Sequence, residues 1–225
     1  MRCKLCERYW TRLWERSDAW ERAHPYVTEG WEKETAENRA LIDRAYEMWG
    51  SDPDAAFQMF LEAGEAGSPW ALDVVARQYD EGGLVEADAA TAESFYRRAI
   101  EAGSWPATIN FARLLAEQAR HDESDWVLED GVSADFVPAF FWLARLRYKR
   151  RPTRKICREV RPLLEYAAGK GHPLAEAILF KWMSLGRFRL REIPTGIAMG
   201  IKWAARIARQ EQEDADRAGT SPAGA

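Results

Sequence analysis

The chain has 225 residues, 47% of them hydrophobic and 30% charged, with a formal net charge of −4. This is enough apolar material for a core in one or two domains, and the mixed charges fit an ordinary soluble globular protein. No run approaches the roughly 18 apolar residues of a membrane-spanning helix. The charged start, "MRCKLCERYWTRLWERSD", lacks the apolar centre and small-residue cleavage site of a secretory signal, so the expected compartment is the cytoplasm.

Along the chain, residues 3–22 place Cys6, Tyr9, Trp10, Leu13, Ser17 and Trp20 on one helical face. Residues 29–49 do the same with Trp31, Leu41, Ile42, Ala45, Met48 and Trp49. Cys3 and Cys6 form a C-x-x-C, half of a possible zinc site, with His24 the nearest other candidate ligand. A structural zinc site takes four ligands, no second C-x-x-C or close His pair follows, and two ordinary helix residues are the simpler reading. No metal and no cofactor are expected.

From residue 54 onward one unit is written about four times. "AFQMFLEAGEAGSPWALDVVARQY" (56–79) falls on "AESFYRRAIEAGSWPATINFARLL" (92–115) with a shift of 36 residues. Phe60 then meets Tyr96, Ala63 meets Ala99, Gly67 meets Gly103 and Ala76 meets Ala112. Further shifts of 32 and 36 bring Leu128, Ala134, Ala139 and Ala144, then Leu164, Ala167, Gly171 and Ala175, into the same frame. Each unit reads as two helices. Glycines 67, 103 and 171 follow the first helix, where a left-handed residue closes it cheaply. Ser68-Pro69, Trp105-Pro106, Val137-Pro138 and His172-Pro173 restart the second helix. "TGIAMGIKWAARIARQ" reads as a last covering helix.

The best copy runs through Ala71, Val75, Ala76, Tyr79, Gly82, Val85 and Asp88 to Ala92, Phe95, Tyr96, Ala99 and Gly103. It resembles the Sel1-like repeat family, relatives of tetratricopeptide repeats. The resemblance covers residues 54–209. It implies an all-α fold: a right-handed α-solenoid of helix-turn-helix repeats with an N-terminal helical cap. Asp135 departs from it in place of the interhelix glycine, Phe180 stands at a small-residue position, and "HDESDWVLEDGVSAD" is degenerate. The expected organisation is a capping helical pair over 1–50, the repeats and a terminal helix over 51–209, and a disordered tail over 210–225. The eleven tryptophans are spread from Trp10 to Trp203, as wide core fillers would be, and no cage is evident.

Catalytic motifs are absent: there is no phosphate-binding glycine loop, no dinucleotide fingerprint, no H-E-x-x-H and no nucleophile elbow. His24, His121 and His172 sit beside helix boundaries, where capping is their simplest role. Acidic pairs such as Glu62/Glu65 and Glu123/Asp125 read as solvated helix faces. The expectation is a non-enzymatic, bacterial-style adaptor or scaffold.

Two surfaces are candidates for its partner. "RLRYKRRPTRKICREVR" (145–161) holds nine Lys/Arg against one acid. Residues 141–225 carry 18 Lys+Arg and 8 Asp+Glu, while the preceding residues are acidic in balance. A basic edge is expected from Arg150, Arg151, Arg154, Lys155 and Arg158, extended by Arg187, Arg189 and Arg191 in the next unit's loop. An acidic protein segment, a phosphorylated partner, a lipid headgroup or nucleic acid would suit it equally, as would a solvated loop without a partner. The second candidate is the groove, assigned to Gln58, Glu62, Ser94, Arg98, Glu101, Glu165 and Tyr166, which avoid the apolar stripe. Self-association of acidic front on basic rear is a further possibility.

Overall fold

A computed structural model describes residues 4–23, 25–32 and 34–219. Cys3 and His24 lie outside the described residues, as do the side chains of Cys6, Tyr9 and Trp10. Among the described residues there are thirteen α-helices, one 3-10 turn and no strand. They run α1 (Lys4–Arg22), α2 (Pro25–Glu32), α3 (Ala36–Met48), α4 (Pro53–Glu65), α5 (Pro69–Glu81), α6 (Ala89–Glu101) and α7 (Trp105–Glu117). Then come α8 (His121–Ser133), α9 (Val137–Arg150), α10 (Arg154–Glu159), α11 (Arg161–Gly169), α12 (Pro173–Ser184), the turn Leu190–Glu192, and α13 (Ile193–Gly219). Four hairpins result: α4–α5, α6–α7, α8–α9 and α10/α11–α12.

The helix starts follow from side-chain caps. Asp52, Ser68, Asp88, Ser104, Thr153 and His172 each accept a backbone N–H of the first turn that the helix itself leaves unpaired. Between the helices of a hairpin, Gly67, Gly103 and Gly171 take positive φ, and Asp135 takes φ 59° at the corresponding place in α8–α9. The departure at Asp135 therefore keeps the backbone geometry at a small steric cost, which aspartate tolerates better than most residues. The degenerate segment is still a helix, α8, burying Ser124, Val127, Leu128 and Gly131 while Trp126 stays 67% exposed. Pro162 has no N–H to continue the ladder, and the first helix of the fourth unit is accordingly split into α10 and α11.

Packing is one seam in three overlapping clusters. Ile42 and Ala45 of α3 join Phe57, Phe60, Ala71 and Val75. Tyr96, Ala99, Phe111, Ala112, Leu128 and Leu143 form the middle. Phe141, Leu164, Leu174, Phe188 and Trp203 form the far end. Ala99 and Ala112 have no exposed surface, as the frame of small residues predicts. Burying a ring such as Phe60 contributes about 1.5–3 kcal/mol. Phe180, the large residue at a small-residue position, faces no fifth repeat; Trp203 of α13 lies edge-on to it at 6.5 Å.

Two expectations change. The first repeat is covered by α3 against α4, but α1 is not part of that cover: its Leu13 belongs to the far cluster with α9, α11 and α12. An amphipathic stripe fixes what must be buried, not the surface that buries it. In addition, α13 continues to Gly219, so residues 210–219 of the expected tail are helical.

Candidate interaction surface

Successive second helices, α5, α7 and α9, approach one another directly, whereas the first helices α4, α6, α8 and α11 make no comparable approach. In a curved stack the helices that crowd together line the inside. The inner wall is therefore α5, α7 and α9, continued by α12 as the equivalent helix of the fourth unit. Gln58 and Glu62 lie on α4, Ser94, Arg98 and Glu101 on α6, and Glu165 and Tyr166 on α11: all seven groove candidates stand on the outer wall. The polar stripe that suggested a groove is a solvated outer face. Arg98 pairs there with Glu65 at 3.0 Å, Glu165 with Arg161 at 2.7 Å, and Tyr166 stacks on Phe140 at 4.3 Å.

The N-terminal segment runs across the inner wall. α2 lies against α5 and α7, with Trp31 at 5.3 Å from Trp70. Glu34, buried after α2, accepts from the Ser68 hydroxyl at 2.6 Å and lies at the N-terminus of α5, where a negative charge is favoured. α1 packs on the far end of the wall. Trp14 sits 5.9 Å from Trp142, and Trp20 sits 5.0 Å from His172. Glu21 accepts from Trp142 Nε1 at 3.2 Å and from His172 Nε2 at 3.1 Å. Since His172 Nδ1 accepts from the Ala175 N–H, Nε2 carries the proton that Glu21 receives. Tryptophans scattered in sequence are thus gathered by α1.

Two adjoining clefts remain beside this segment. One, of about 550 Å³, is lined by Trp14, Asp18, Arg113, Trp142, Arg145 and Lys149 among others. The other, of about 390 Å³, is lined by Tyr46, Trp70, Asp73, Arg77, Asn110 and Arg113 among others. In the second, Asp73 accepts from Asn110 at 3.0 Å; burial pushes its carboxyl up from the ordinary range, against the opposing pull of Arg77 and Asn110. In the first, the Arg145 guanidinium lies 4.3 Å from the Trp14 ring and 5.6 Å from the Trp142 ring. Burial lowers its affinity for a proton, and the neighbouring Arg113 lowers it further.

These arginines were legible in the repeat. The shifts of 36, 32 and 36 residues that align the units carry Arg77 onto Arg113, Arg145 and Lys181, so each inner helix has a cation at this one aligned position. They lie immediately after the small-residue positions 76, 112 and 144 that carried the alignment.

At the expected basic edge, Arg158 donates to the Phe188 carbonyl at 3.2 Å and Arg161 pairs with Glu192 at 3.1 Å, so the loops around 151–160 and 187–191 are neighbours. Arg150 is turned away, toward Asp125 at 3.3 Å and Asp122 at 3.9 Å of α8. Arg151, Arg154, Lys155, Arg158, Arg189 and Arg191 are exposed, and Arg187 is half-buried. Among the described residues no cluster of His, Cys, Asp and Glu is arranged to hold a metal ion, and no helix is long and apolar enough to cross a membrane. Cys157 is a buried free thiol whose pKa burial raises.

A stack of helical hairpins with an inner wall and no strand defines an α-solenoid. Among solved structures, a Sel1 repeat protein from Oxalobacter formigenes shares it with a TM-score of 0.60 and 19% identity, over 84% of this chain and 83% of that one. A protective antigen present in uropathogenic Escherichia coli strains, displaying an SLR fold, does so with a TM-score of 0.60 and 14% identity, over 86% of this chain and 50% of that one. No protein-family model and no curated protein matches the chain. The fold is that of the right-handed Sel1-like repeat solenoids.

Proposed function

We propose that the protein is a non-enzymatic adaptor or scaffold that binds a partner protein along the inner wall beside α1. The observation that carries this reading is the open, partly aromatic channel formed by the two adjoining clefts, which runs over α5, α7 and α9. Repeat solenoids present such extended concave surfaces, and a partner segment laid along this one touches several repeats at once. Affinity capture from the source cell tests it, comparing the native chain with Asn110→Trp, which fills the channel, and with Arg151, Arg154 and Lys155 replaced by Gln. A partner retained by the native chain and lost with Asn110→Trp supports the reading. Equal capture by both removes it.

A second reading, a nucleic-acid-associated regulator using the basic edge, is favoured by the contact of the two basic loops through Arg158 and Phe188. It requires binding that falls steeply and linearly in log affinity with log salt concentration. Loss of capture only in the neutralised edge variant, together with such a slope for RNA or DNA, would favour it over the groove.

A further inference from the structure

We infer that the cleft between α1, α7 and α9 is a carboxylate-binding subsite, in which Arg113 and Arg145 receive an Asp or Glu side chain of an acidic peptide segment. It deepens the adaptor reading and rests on it for the origin of that segment.

The first reason is charge without a salt bridge. Elsewhere in the stack several arginines meet carboxylates: Arg97 and Arg120 meet Glu93, Arg147 meets Asp125 and Glu129, and Arg161 meets Glu165 and Glu192. Arg77, the equivalent of Arg113 in the preceding repeat, lies 3.6 Å from Asp73. Among the described residues neither Arg113 nor Arg145 makes a salt bridge, although Asp80 is near enough to Arg113 to feel its charge. Arg113 lies 5.6 Å from the Trp142 ring, and Arg145 lies against the pair of rings Trp14 and Trp142, 4.3 and 5.6 Å from them. The two like charges repel each other and the half-buried Arg145 has lost part of its hydration, so an incoming anion offsets both costs.

The second reason is shape. Guanidinium groups present planar forks that match a carboxylate in two parallel hydrogen bonds. The tryptophan walls hold the Arg145 fork in place before the ligand arrives and exclude water from one side of the contact. A cleft of about 550 Å³ has room for an acidic side chain with the backbone around it.

The third reason sets the class of ligand. Glu15, Asp18, Glu21 and Glu117 also line this cleft. Glu21 is occupied by His172 and Trp142, and Asp18 by Arg22 at 2.8 Å. Their negative charge penalises a phosphate dianion or a polyphosphate backbone more than a single monovalent carboxylate. An acidic peptide therefore fits better than nucleic acid.

The test is an NMR titration of the full chain, observing indole and arginine side-chain N–H resonances. The probes are a blocked glycine–serine peptide carrying one glutamate, its glutamine counterpart, inorganic phosphate, and a single-stranded RNA. The glutamate peptide is expected to shift the Trp142 indole and Arg145 Nε–H signals while the glutamine peptide leaves them in place. Arg113→Gln, an exposed position whose folding is checked by circular dichroism, is expected to weaken the peptide by about tenfold. Arg145→Lys, which keeps the charge but not the fork, is expected to weaken it as well. Lys155→Gln, outside the cleft, is expected to leave it unchanged. No shift with the glutamate peptide, equal shifts with glutamine, tighter binding of phosphate or RNA, or unchanged affinity in Arg113→Gln overturns the assignment. A partner captured equally by the native chain and Arg113→Gln but lost by Asn110→Trp overturns the subsite and leaves the adaptor standing. Peptide binding without any captured partner does the reverse.

Discussion

Glu21 of α1 and His172, the residue that starts α12, meet at 3.1 Å across 151 positions of sequence. One imidazole thereby does two jobs: Nδ1 caps α12 and Nε2–H holds α1 on the inner wall. His172 is fully buried and stacked on Phe141 at 4.3 Å. His172→Ala is expected to cost about 2–3 kcal/mol, combining a lost cap with a half-buried carboxylate left short of a donor. His172→Asn, which can cap but cannot reach Glu21, is expected to cost about 1 kcal/mol less. Urea denaturation of the two variants checks the order. Glu21→Ala strands the His172 and Trp142 N–H groups, and faster proteolytic cleavage within α1 is the expected readout.

Two carboxylates on the solenoid have opposite pH signatures. The bond from Arg120, assisted by Arg97, holds Glu93 below the usual glutamate range. Its stabilising contribution is fully present above about pH 4.3 and is lost as pH falls through its lowered value. Asp73 is raised by burial, so its contribution is greatest below about pH 3.9 and is lost as pH rises through its raised value. Glu93→Gln is therefore expected to cost about 1 kcal/mol at neutral pH and progressively less in acid. The native chain is expected to gain on Asp73→Asn as the solution is acidified. Thermal melts across pH distinguish the two signs.

Ala112 has no exposed surface and its carbonyl accepts from the Ser124 hydroxyl at 2.7 Å. Ala112→Trp has no room at this crossing of α7 and α8. A loss of about 1–3 kcal/mol or more is expected. An unchanged melting temperature would mean that the face has been misassigned.

Backbone and packing can be separated at two small residues. Ala119 holds φ 60° in the turn before α8, a conformation that L-residues with a Cβ adopt at a cost of about 1–2 kcal/mol. Ala119→Gly relieves that cost and is expected to raise the melting temperature. Gly131 is the contrary case: a Cβ there would stand 2.9 Å from the Ala139 Cβ, between α8 and α9. Gly131→Ala is expected to lower stability by about 1–3 kcal/mol.

The neutral variants of the basic run should divide in the same way. Arg147 bonds Asp125 at 3.0 Å and also Glu129, whereas Arg151 is exposed beyond the end of α9. Arg147→Gln is expected to cost about 1 kcal/mol and Arg151→Gln less than about 0.5 kcal/mol in chemical denaturation.

The hairpins were legible because their signals are local. Ser68-Pro69 and His172-Pro173 start helices through contacts within a few residues, and Ala99 and Ala112 recur at a fixed period. The course of α1 was not, because its stripe of Leu13, Ser17 and Trp20 is compatible with any apolar surface of matching width. The surface chosen depends on partners as remote as Trp142 and His172. The inner and outer walls were exchanged for a related reason. Gln58 and Arg98 are polar, but polarity marks both water-facing walls, and curvature is a property of the whole stack. Only the recurrence of a basic residue at 77, 113, 145 and 181 distinguished the inner helices in sequence.

An open stack of hairpins flexes as a spring does, each junction adding a little to the change in pitch. Here α1 and α2 together span the coil from within: α2 leans on α5 and α7, while Glu21 and Arg16 of α1 are fastened at His172 and Gln210. Stretching or winding the coil must strain that tie. The strut inside therefore holds the curvature together with the joints, and drawing α5 and α7 away from α12 must break the tie.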